Sequence, residues 1–289
     1  ILKNRLRISE ELKKQVINYR NEISDIINKK NDKLIVIVGP CSVSNYESTL
    51  EYAEELKEIS KDYDNILIIM RVYVEKPRTR TGWKGYLYDP DLNESNDINK
   101  GIELSRKLML EITRLGLPIA TEFLNLNTPQ YFDDLVSYAC IGARTVESQL
   151  HRELASGLSM PIGFKNTTGG DINKAIDAII TAQSNHTFFG MNTQGNCAII
   201  STNGNSEGHI ILSIEEHTAP ILPNDSSIFT NIVVKTAGQL NATDFELSGN
   251  SVIVMKPNDA IAGKVTEISY DASSNSAVNI RDENNVSME

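Results

Sequence analysis

Residues 34–41, Leu-Ile-Val-Ile-Val-Gly-Pro-Cys, decide the fold class. A continuous aliphatic run that ends at a Gly-Pro pair predicts a strand buried on both faces, as in a parallel sheet. Comparable runs alternate with stretches of helical periodicity further along the chain. Strands are predicted at 66–73, 117–124, 139–145, 161–166 and 187–192, and helices at 47–60, 98–115, 128–137, 150–157 and 171–183. The alternation predicts βα units and therefore a parallel sheet or barrel.

The two ends of the chain differ from this pattern. Apolar positions in 8–31 recur at helical spacing after the candidate N-cap Ser9, so residues 1–32 are predicted to form a helical extension. Extended runs at 198–201 and 209–212 flank Asn203-Gly204-Asn205 and predict a hairpin insertion near 187–212. Beyond residue 212 there are only short strand-like runs, which predict a β-rich or irregular segment over 213–289. These runs lie at 228–235, 251–255, 264–270 and 277–280.

Charge and composition exclude several classes of partner. The formal net charge is −10, and residues 213–289 alone hold 11 acidic and 4 basic side chains. This balance disfavours nucleic acid or an anionic membrane as the main partner. No apolar run reaches the length of about 18 residues that a membrane span needs. The three scattered cysteines, Cys41, Cys140 and Cys197, indicate a reducing compartment, so we expect a cytoplasmic location.

Polar side chains, five of them charged, follow the predicted strands of the barrel. Cys41, Arg71, Lys76, Glu122, Arg144 and Lys165 each lie at or just after the carboxyl end of a strand. In a barrel these ends converge on one face, where active sites are built. Burying four cations at one end of a barrel is costly unless anions pair with them. Arginine suits bidentate contact with phosphate or carboxylate, and lysine supplies a point charge. The pattern predicts a site for a small molecule that carries phosphate and carboxylate groups.

A series of motifs resembles one enzyme family. It comprises Gly39-Pro40-Cys41-Ser42, Met70-Arg71-Val72-Tyr73, Glu75-Lys76-Pro77-Arg78-Thr79, Gly82-Trp83-Lys84-Gly85, Thr121-Glu122-Phe123-Leu124, Ile141-Gly142-Ala143-Arg144-Thr145, Glu147-Ser148-Gln149, His151-Arg152-Glu153-Leu154-Ala155-Ser156-Gly157 and Gly163-Phe164-Lys165-Asn166. In order and spacing, these motifs resemble the 3-deoxy-D-arabino-heptulosonate 7-phosphate (DAHP) synthases that aromatic amino acids regulate. The resemblance covers about residues 1–212. It implies a (β/α)8 TIM-barrel fold, which the sequence pattern interrupts after the sixth strand.

The resemblance also implies an activity and a set of site residues. DAHP synthases condense phosphoenolpyruvate with erythrose 4-phosphate in the first step of the shikimate pathway. Four cations match phosphoenolpyruvate-binding residues, the Ala143 N–H matches a phosphate contact, and the segment after Glu75 matches the part that meets erythrose 4-phosphate. The implied substrate-binding residues are Arg71, Lys76, Pro77, Arg78, Thr79, Ala143, Arg144 and Lys165; Lys76 and Glu122 are the candidate catalytic groups. His151 is a further candidate, against the alternative of a structural histidine.

The resemblance further implies a divalent metal, Mn²⁺ or a similar ion, with Cys41 as one ligand. The family's other ligands lie in an Asp-x-Ser-His segment, a Glu-Ser strand end and a late Asp, and its Arg-Gly-Gly follows the position of Leu212. Residues 213–289 contain no counterpart, and Ser213-Ile214-Glu215 follows instead. We therefore predict impaired catalysis. The alternative function is a catalytically incomplete descendant, fusion or recombinant that binds phosphoenolpyruvate or serves a structural role.

Regulation and assembly are implied in the same way. The family predicts an aromatic amino acid effector and a homo-oligomer. A related octulosonate synthase is the remaining alternative. The Lys-Pro-Arg-Thr and Gly-Trp-Lys-Gly motifs favour DAHP synthase over it.

Overall fold

A computed structural model describes residues 2–192, 195–213, 252–255, 267–270 and 278–281. Its helices are α1 (Leu2–Arg5), α2 (Glu10–Ile27), α3 (Tyr46–Ser60), α4 (Ile98–Arg114), α5 (Pro129–Phe132), α6 (Gln149–Ser156) and α7 (Asn173–Ala182). Its strands are β1 (Leu34–Val38), β2 (Ile66–Arg71), β3 (Ile119–Glu122), β4 (Tyr138–Ile141), β5 (Ile162–Lys165), β6 (His186–Met191), β7 (Cys197–Thr202), β8 (Gly208–Ser213), β9 (Val252–Met255), β10 (Glu267–Tyr270) and β11 (Val278–Arg281).

Six parallel strands form a curled half-barrel. The sheet order is β1-β2-β3-β4-β5-β8, and each neighbouring pair in this order is parallel. Strand β9 joins next to β8 but runs antiparallel to it. The predicted fold class, a (β/α) barrel interrupted after its sixth strand, is confirmed. Helices α3, α4, α6 and α7 lie between the strands and cover the sheet with a continuous apolar core.

One strand assignment from the sequence is wrong. The run predicted at 187–192 as the sixth barrel strand is β6, and it pairs antiparallel with β7 in a separate two-stranded hairpin. The sixth parallel strand is β8, which pairs with β5. The hairpin therefore consists of 186–191 and 197–202, rather than of the runs at 198–201 and 209–212.

The predicted runs beyond residue 212 have different outcomes. Those at 251–255, 264–270 and 277–280 overlap β9, β10 and β11, and β10 pairs antiparallel with β11. The run predicted at 228–235 lies outside the described residues.

Helix α2 covers one end of the barrel. It begins at the N-cap Ser9, whose hydroxyl accepts a hydrogen bond from the Leu12 N–H. Its residues Ile23, Ile26 and Ile27 pack against the barrel interior in a second apolar cluster. The Tyr19 hydroxyl donates to the Gly116 carbonyl. Because Gly116 precedes β3, α2 lies at the amino ends of the strands and leaves the carboxyl ends free for a site.

Candidate active site

The carboxyl ends of β1 to β5 surround one cavity of about 520 Å³. Ten of the eleven residues predicted from the sequence line it: Cys41, Arg71, Lys76, Pro77, Arg78, Thr79, Glu122, Ala143, Arg144 and Lys165. Arg71, Glu122 and Lys165 are the last residues of β2, β3 and β5. Because neighbouring parallel strands end at the same edge, residues far apart in sequence meet here.

The cavity is strongly cationic. Six basic side chains line it, namely Arg71, Lys76, Arg78, Arg80, Arg144 and Lys165. Among the described residues none of the six forms an ion pair with a carboxylate. Mutual repulsion between unpaired cations is relieved when anions bind, so the site is suited to a ligand with more than one negative group.

Arg71 lies on an aromatic surface. Its guanidinium carbon is 4.3 Å from the centroid of the Tyr73 ring, and its Nε atom is buried without a hydrogen-bond partner within the described chain. The Tyr73 hydroxyl lies 2.7 Å from the Cys140 sulfur, which anchors the ring in the barrel interior. A stacked guanidinium is held by its face and keeps its N–H edge available for an anion.

Cys41 and Lys76 contact each other at the mouth of the cavity. The Lys76 ammonium donates a hydrogen bond to the Cys41 sulfur over 2.8 Å. Partial burial raises the pKa of the Cys41 thiol, but this hydrogen bond and the charges of Lys76, Arg71 and Lys165 outweigh it. The pKa of Cys41 therefore lies below its ordinary value, which favours the thiolate.

Glu122 brings a carboxyl group among these cations. Only 8% of its surface is exposed. Burial raises the pKa of the Glu122 carboxyl above its ordinary value, and the charges of Lys165, Arg71 and Arg144 oppose that shift without cancelling it. The carboxyl packs directly against Gly142, where an added Cβ would lie 2.1 Å from its Oε1 atom.

The loop after β2 forms the outer wall. The Arg144 Nε atom donates to the Thr79 hydroxyl over 3.1 Å, and the Arg78 Nε atom donates to the Trp83 carbonyl over 2.6 Å. These contacts tie the 76–84 segment to itself and to the segment after β4. Thr79 and Arg78 thereby face the cavity next to Arg144.

His151, the eleventh predicted residue, does not line the cavity. Its ring nitrogens lie 2.8 Å from the Ser148 hydroxyl and 2.8 Å from the Leu124 carbonyl. Both nitrogens are therefore engaged within the fold.

The cavity is also lined by five residues that were not predicted as site residues from the sequence: Tyr73, Glu75, Arg80, Thr81 and Gly142. Each lies in or beside a predicted motif, so position next to a strand end was the available signal.

The described residues do not form a metal site by themselves. Within the described ranges, no three His, Cys, Asp or Glu side chains come close enough to hold an ion. A single thiolate falls short of the four or more ligands that divalent ions normally require. Cys41 alone does not fit the metal that the family resemblance implies.

Comparison with known proteins decides the family. The model of the DAHP synthetase I family matches residues 8–231. The chain belongs to the DAHP synthetase I family. The family match continues to residue 231, whereas the resemblance described from the sequence ends at about residue 212. No helix within the described residues is both long and apolar enough to span a membrane.

Several relatives of this family member are close. The Tyr-sensitive phospho-2-dehydro-3-deoxyheptonate aldolase of Escherichia coli is 48% identical over 212 residues, which cover 73% of this chain and 60% of the relative. The phospho-2-dehydro-3-deoxyheptonate aldolase of Corynebacterium glutamicum is 51% identical over 194 residues, or 67% and 53% of the two chains. The chain thus spans little more than half the length of these relatives.

A solved structure agrees with the fold. Phospho-2-dehydro-3-deoxyheptonate aldolase from Francisella tularensis superposes with a TM-score of 0.71 at 50% sequence identity. The match covers 73% of this chain and 62% of that one. It supports the assignment of the six parallel strands to an incomplete (β/α)8 barrel.

Proposed function

We propose that this chain carries the substrate pocket of a DAHP synthase, a transferase that forms a carbon–carbon bond. The reaction joins phosphoenolpyruvate, erythrose 4-phosphate and water and releases inorganic phosphate, at the start of aromatic amino acid biosynthesis. The observation that supports this function most is the convergence of six basic side chains, without carboxylate partners in the described chain, on one cavity. Both substrates are anions, so the pocket offers each of them cationic contacts.

The chain's own residues would bind and orient the two substrates. Arg71, Lys76, Arg144 and Lys165, which line the cavity, would contact the phosphate and carboxylate of phosphoenolpyruvate, together with the Ala143 N–H. The 76–79 segment would hold the phosphate of erythrose 4-phosphate. Fixing both reactants in one cavity removes much of the entropy cost of their encounter. We assign proton transfer to Lys76, through its Nζ atom, and to Glu122, through its carboxyl, both of which line the cavity.

Three further properties belong to this proposal. The names of relatives from Escherichia coli and Buchnera aphidicola describe them as Tyr-sensitive and Trp-sensitive, which supports an aromatic amino acid as effector. A homo-oligomer and a cytoplasmic location accompany the same function. A divalent ion, Mn²⁺ or similar, would need ligands in addition to those in the described residues, so no step is assigned to it.

Calorimetry with phosphoenolpyruvate tests the proposal. We expect measurable binding by the wild-type chain and weaker binding by Arg144→Ala, because a charge-assisted hydrogen bond contributes about 1.5–3 kcal/mol. That range corresponds to a loss of affinity of roughly tenfold to hundredfold.

Arg114→Ala is the matched control. Arg114 is an exposed arginine in the last turn of α4 and does not line the cavity. It should keep wild-type affinity. If Arg144→Ala also binds as tightly as the wild type, the pocket assignment is wrong.

A further inference from the structure

Glu75 is a buried carboxylate in the wall of the substrate cavity. It follows Val74 in the stretch that leaves β2 and precedes Lys76 directly. Only 2% of its surface is exposed, although it lines the cavity. Burying a carboxylate is costly unless hydrogen bonds or nearby charges compensate it, so its partners are informative.

Four hydrogen-bond donors surround the Glu75 carboxyl. Its Oε2 atom accepts from the N–H groups of Leu124 and Asn125, both at 3.3 Å, and from the Thr128 hydroxyl at 3.0 Å. Its Oε1 atom accepts from the Tyr88 hydroxyl at 3.3 Å. The donors come from two separate segments, the loop after β3 and the loop between β2 and α4. Glu75 therefore joins two loops at the rim of the cavity.

The loop after β2 carries cavity residues, and the loop after β3 contacts His151. Leu124, which donates to Glu75, has its carbonyl within 2.8 Å of the His151 Nε2 atom. On the other side, the Lys76 N–H donates to the Lys84 carbonyl over 2.8 Å. A change at Glu75 therefore reaches Lys76 through the next peptide unit and His151 through Leu124.

We propose that Glu75 is a positioning residue whose ionised carboxylate fixes Lys76 and the 76–84 loop over the cavity and whose protonation releases them. The expected effect of Glu75 on phosphoenolpyruvate binding rests on the proposed function, whereas its effect on the position of the 76–84 loop does not. Four donors match an ionised carboxylate, whose oxygens only accept, whereas protonation turns one of these oxygens into an O–H and weakens the hydrogen bonds that the group accepts. Weaker hydrogen bonds at Glu75 would loosen the connection between the loop after β2 and the loop after β3.

The Glu75 carboxyl changes its protonation state near neutral pH. Burial raises the pKa of Glu75 to about 7, although the hydrogen bonds from Asn125, Thr128, Leu124 and Tyr88 oppose the shift. The titratable and charged groups around it are the Tyr88 phenol, Lys76, His151 beyond Leu124, and Lys84, whose ammonium is 5.9 Å from the centroid of the Tyr88 ring. Since the pKa is raised, the carboxylate and the connection between the two loops form above about pH 7 and are lost below it.

The fluorescence of Trp83 reports the position of this loop. Trp83 is the only tryptophan of the chain, its carbonyl accepts from Arg78, and its ring N–H donates to the Asp89 carbonyl. In the wild type we expect its emission to change between pH 5 and 9 with a midpoint near the pKa of Glu75, about 7. Glu75→Gln should abolish this transition because glutamine does not titrate.

Two further variants sharpen the assignment. Glu153→Gln makes the same chemical change at another buried carboxyl, on α6, and should keep the transition. Tyr88→Phe removes one donor to the carboxylate and should move the midpoint upward. Tyr88→Phe decides the question if Glu75→Gln fails to fold, since an unmoved midpoint would overturn the proposal.

Phosphoenolpyruvate binding is measured on the same proteins at pH 8. Glu75→Gln should bind phosphoenolpyruvate at least about tenfold more weakly, because Lys76 and the 76–84 loop would no longer be held in position over the cavity. Wild-type affinity in this variant, or a pH transition that survives in it, would overturn the proposal. A purely structural role would lower stability and leave the transition in place. The two proposals can fail separately. If the wild type shows the fluorescence transition but binds no phosphoenolpyruvate, and Glu75→Gln lacks the transition, the proposed function fails and the positioning role of Glu75 stands.

Discussion

At the scale of single residues, the contact between Gly142 and Glu122 shows how closely the site is packed. Any Cβ at position 142 would lie 2.1 Å from the Glu122 Oε1 atom. We expect Gly142→Ala to displace the carboxyl or the segment after β4. Overpacking of this kind costs about 1–3 kcal/mol, and urea unfolding should show a correspondingly lower midpoint. Phosphoenolpyruvate binding should weaken too, since Ala143 and Arg144 follow directly.

Gly169→Ala is the matched control for this substitution. An added Cβ there would have its nearest neighbour, the Thr167 hydroxyl, at 3.8 Å, an ordinary van der Waals distance. Its unfolding midpoint should stay near the wild-type value. Equal losses in both variants would contradict the steric explanation.

The site residues that could be predicted share one property: each lies near the end of a strand, and an apolar run in the local sequence marks that strand. Arg71 and Lys165 follow apolar runs, and the barrel brings them together. Glu75 could not be assigned in this way. Its partners Leu124, Asn125 and Thr128 lie 49, 50 and 53 residues away, so they are set by tertiary packing.

At the scale of elements, the hairpin shows the limit of periodicity. The runs that became β6, β7 and β8 all contain β-branched or aromatic residues, which indicate extended chain but do not identify the strand with which it pairs. The turn was expected at Asn203-Gly204-Asn205. It lies instead between β6 and β7, where the Asn192 N–H donates to the Asn196 carbonyl and the Gly195 N–H donates to the Asn192 carbonyl.

Asn205 has a different task, because its buried side chain anchors the start of β8. Its Nδ2 atom donates to the carbonyls of Ala155, Leu158 and Met160 at 3.0–3.3 Å. Asn205→Asp would place a carboxylate against three carbonyl oxygens. Unsatisfied buried groups cost about 1–3 kcal/mol each, and more when charged. We expect a loss of stability of at least about 2 kcal/mol in urea unfolding.

Asn203→Asp makes the same change at an exposed position two residues away. It should leave the unfolding midpoint almost unchanged. A similar loss in both variants would indicate that added negative charge, rather than the anchoring contacts of Asn205, destabilises the protein.

At the scale of the whole molecule, the two ends of the barrel have separate tasks. Helix α2 closes the amino ends of the strands with Ile23, Ile26 and Ile27, and the Arg20 guanidinium donates to the Val136 carbonyl just before β4. The carboxyl ends hold the cationic cavity. The residues that line the cavity therefore lie at strand ends that an apolar core fixes in place.

The complete reaction makes a stronger demand than substrate binding. Cys41 is the predicted metal ligand in the described chain, and the motifs that would supply the others are missing from 213–289. Metal assistance contributes several kcal/mol of transition-state stabilisation. At about 1.4 kcal/mol per tenfold, its loss corresponds to a rate reduced roughly thousandfold or more.

We therefore expect purified protein of this sequence to bind phosphoenolpyruvate but to release phosphate very slowly. The measurement is phosphate release with both substrates and Mn²⁺, with and without EDTA, and EDTA should change the slow rate little. Turnover within the range typical of enzymes, about 1–1000 s⁻¹, that EDTA abolishes would contradict the prediction. It would show that residues outside the described ranges complete the metal site, with Glu215, Glu216 and His217 as the first candidates, because they lie closest in sequence to β8. Replacing each of these by alanine would then identify the ligand through the loss of Mn²⁺-dependent turnover.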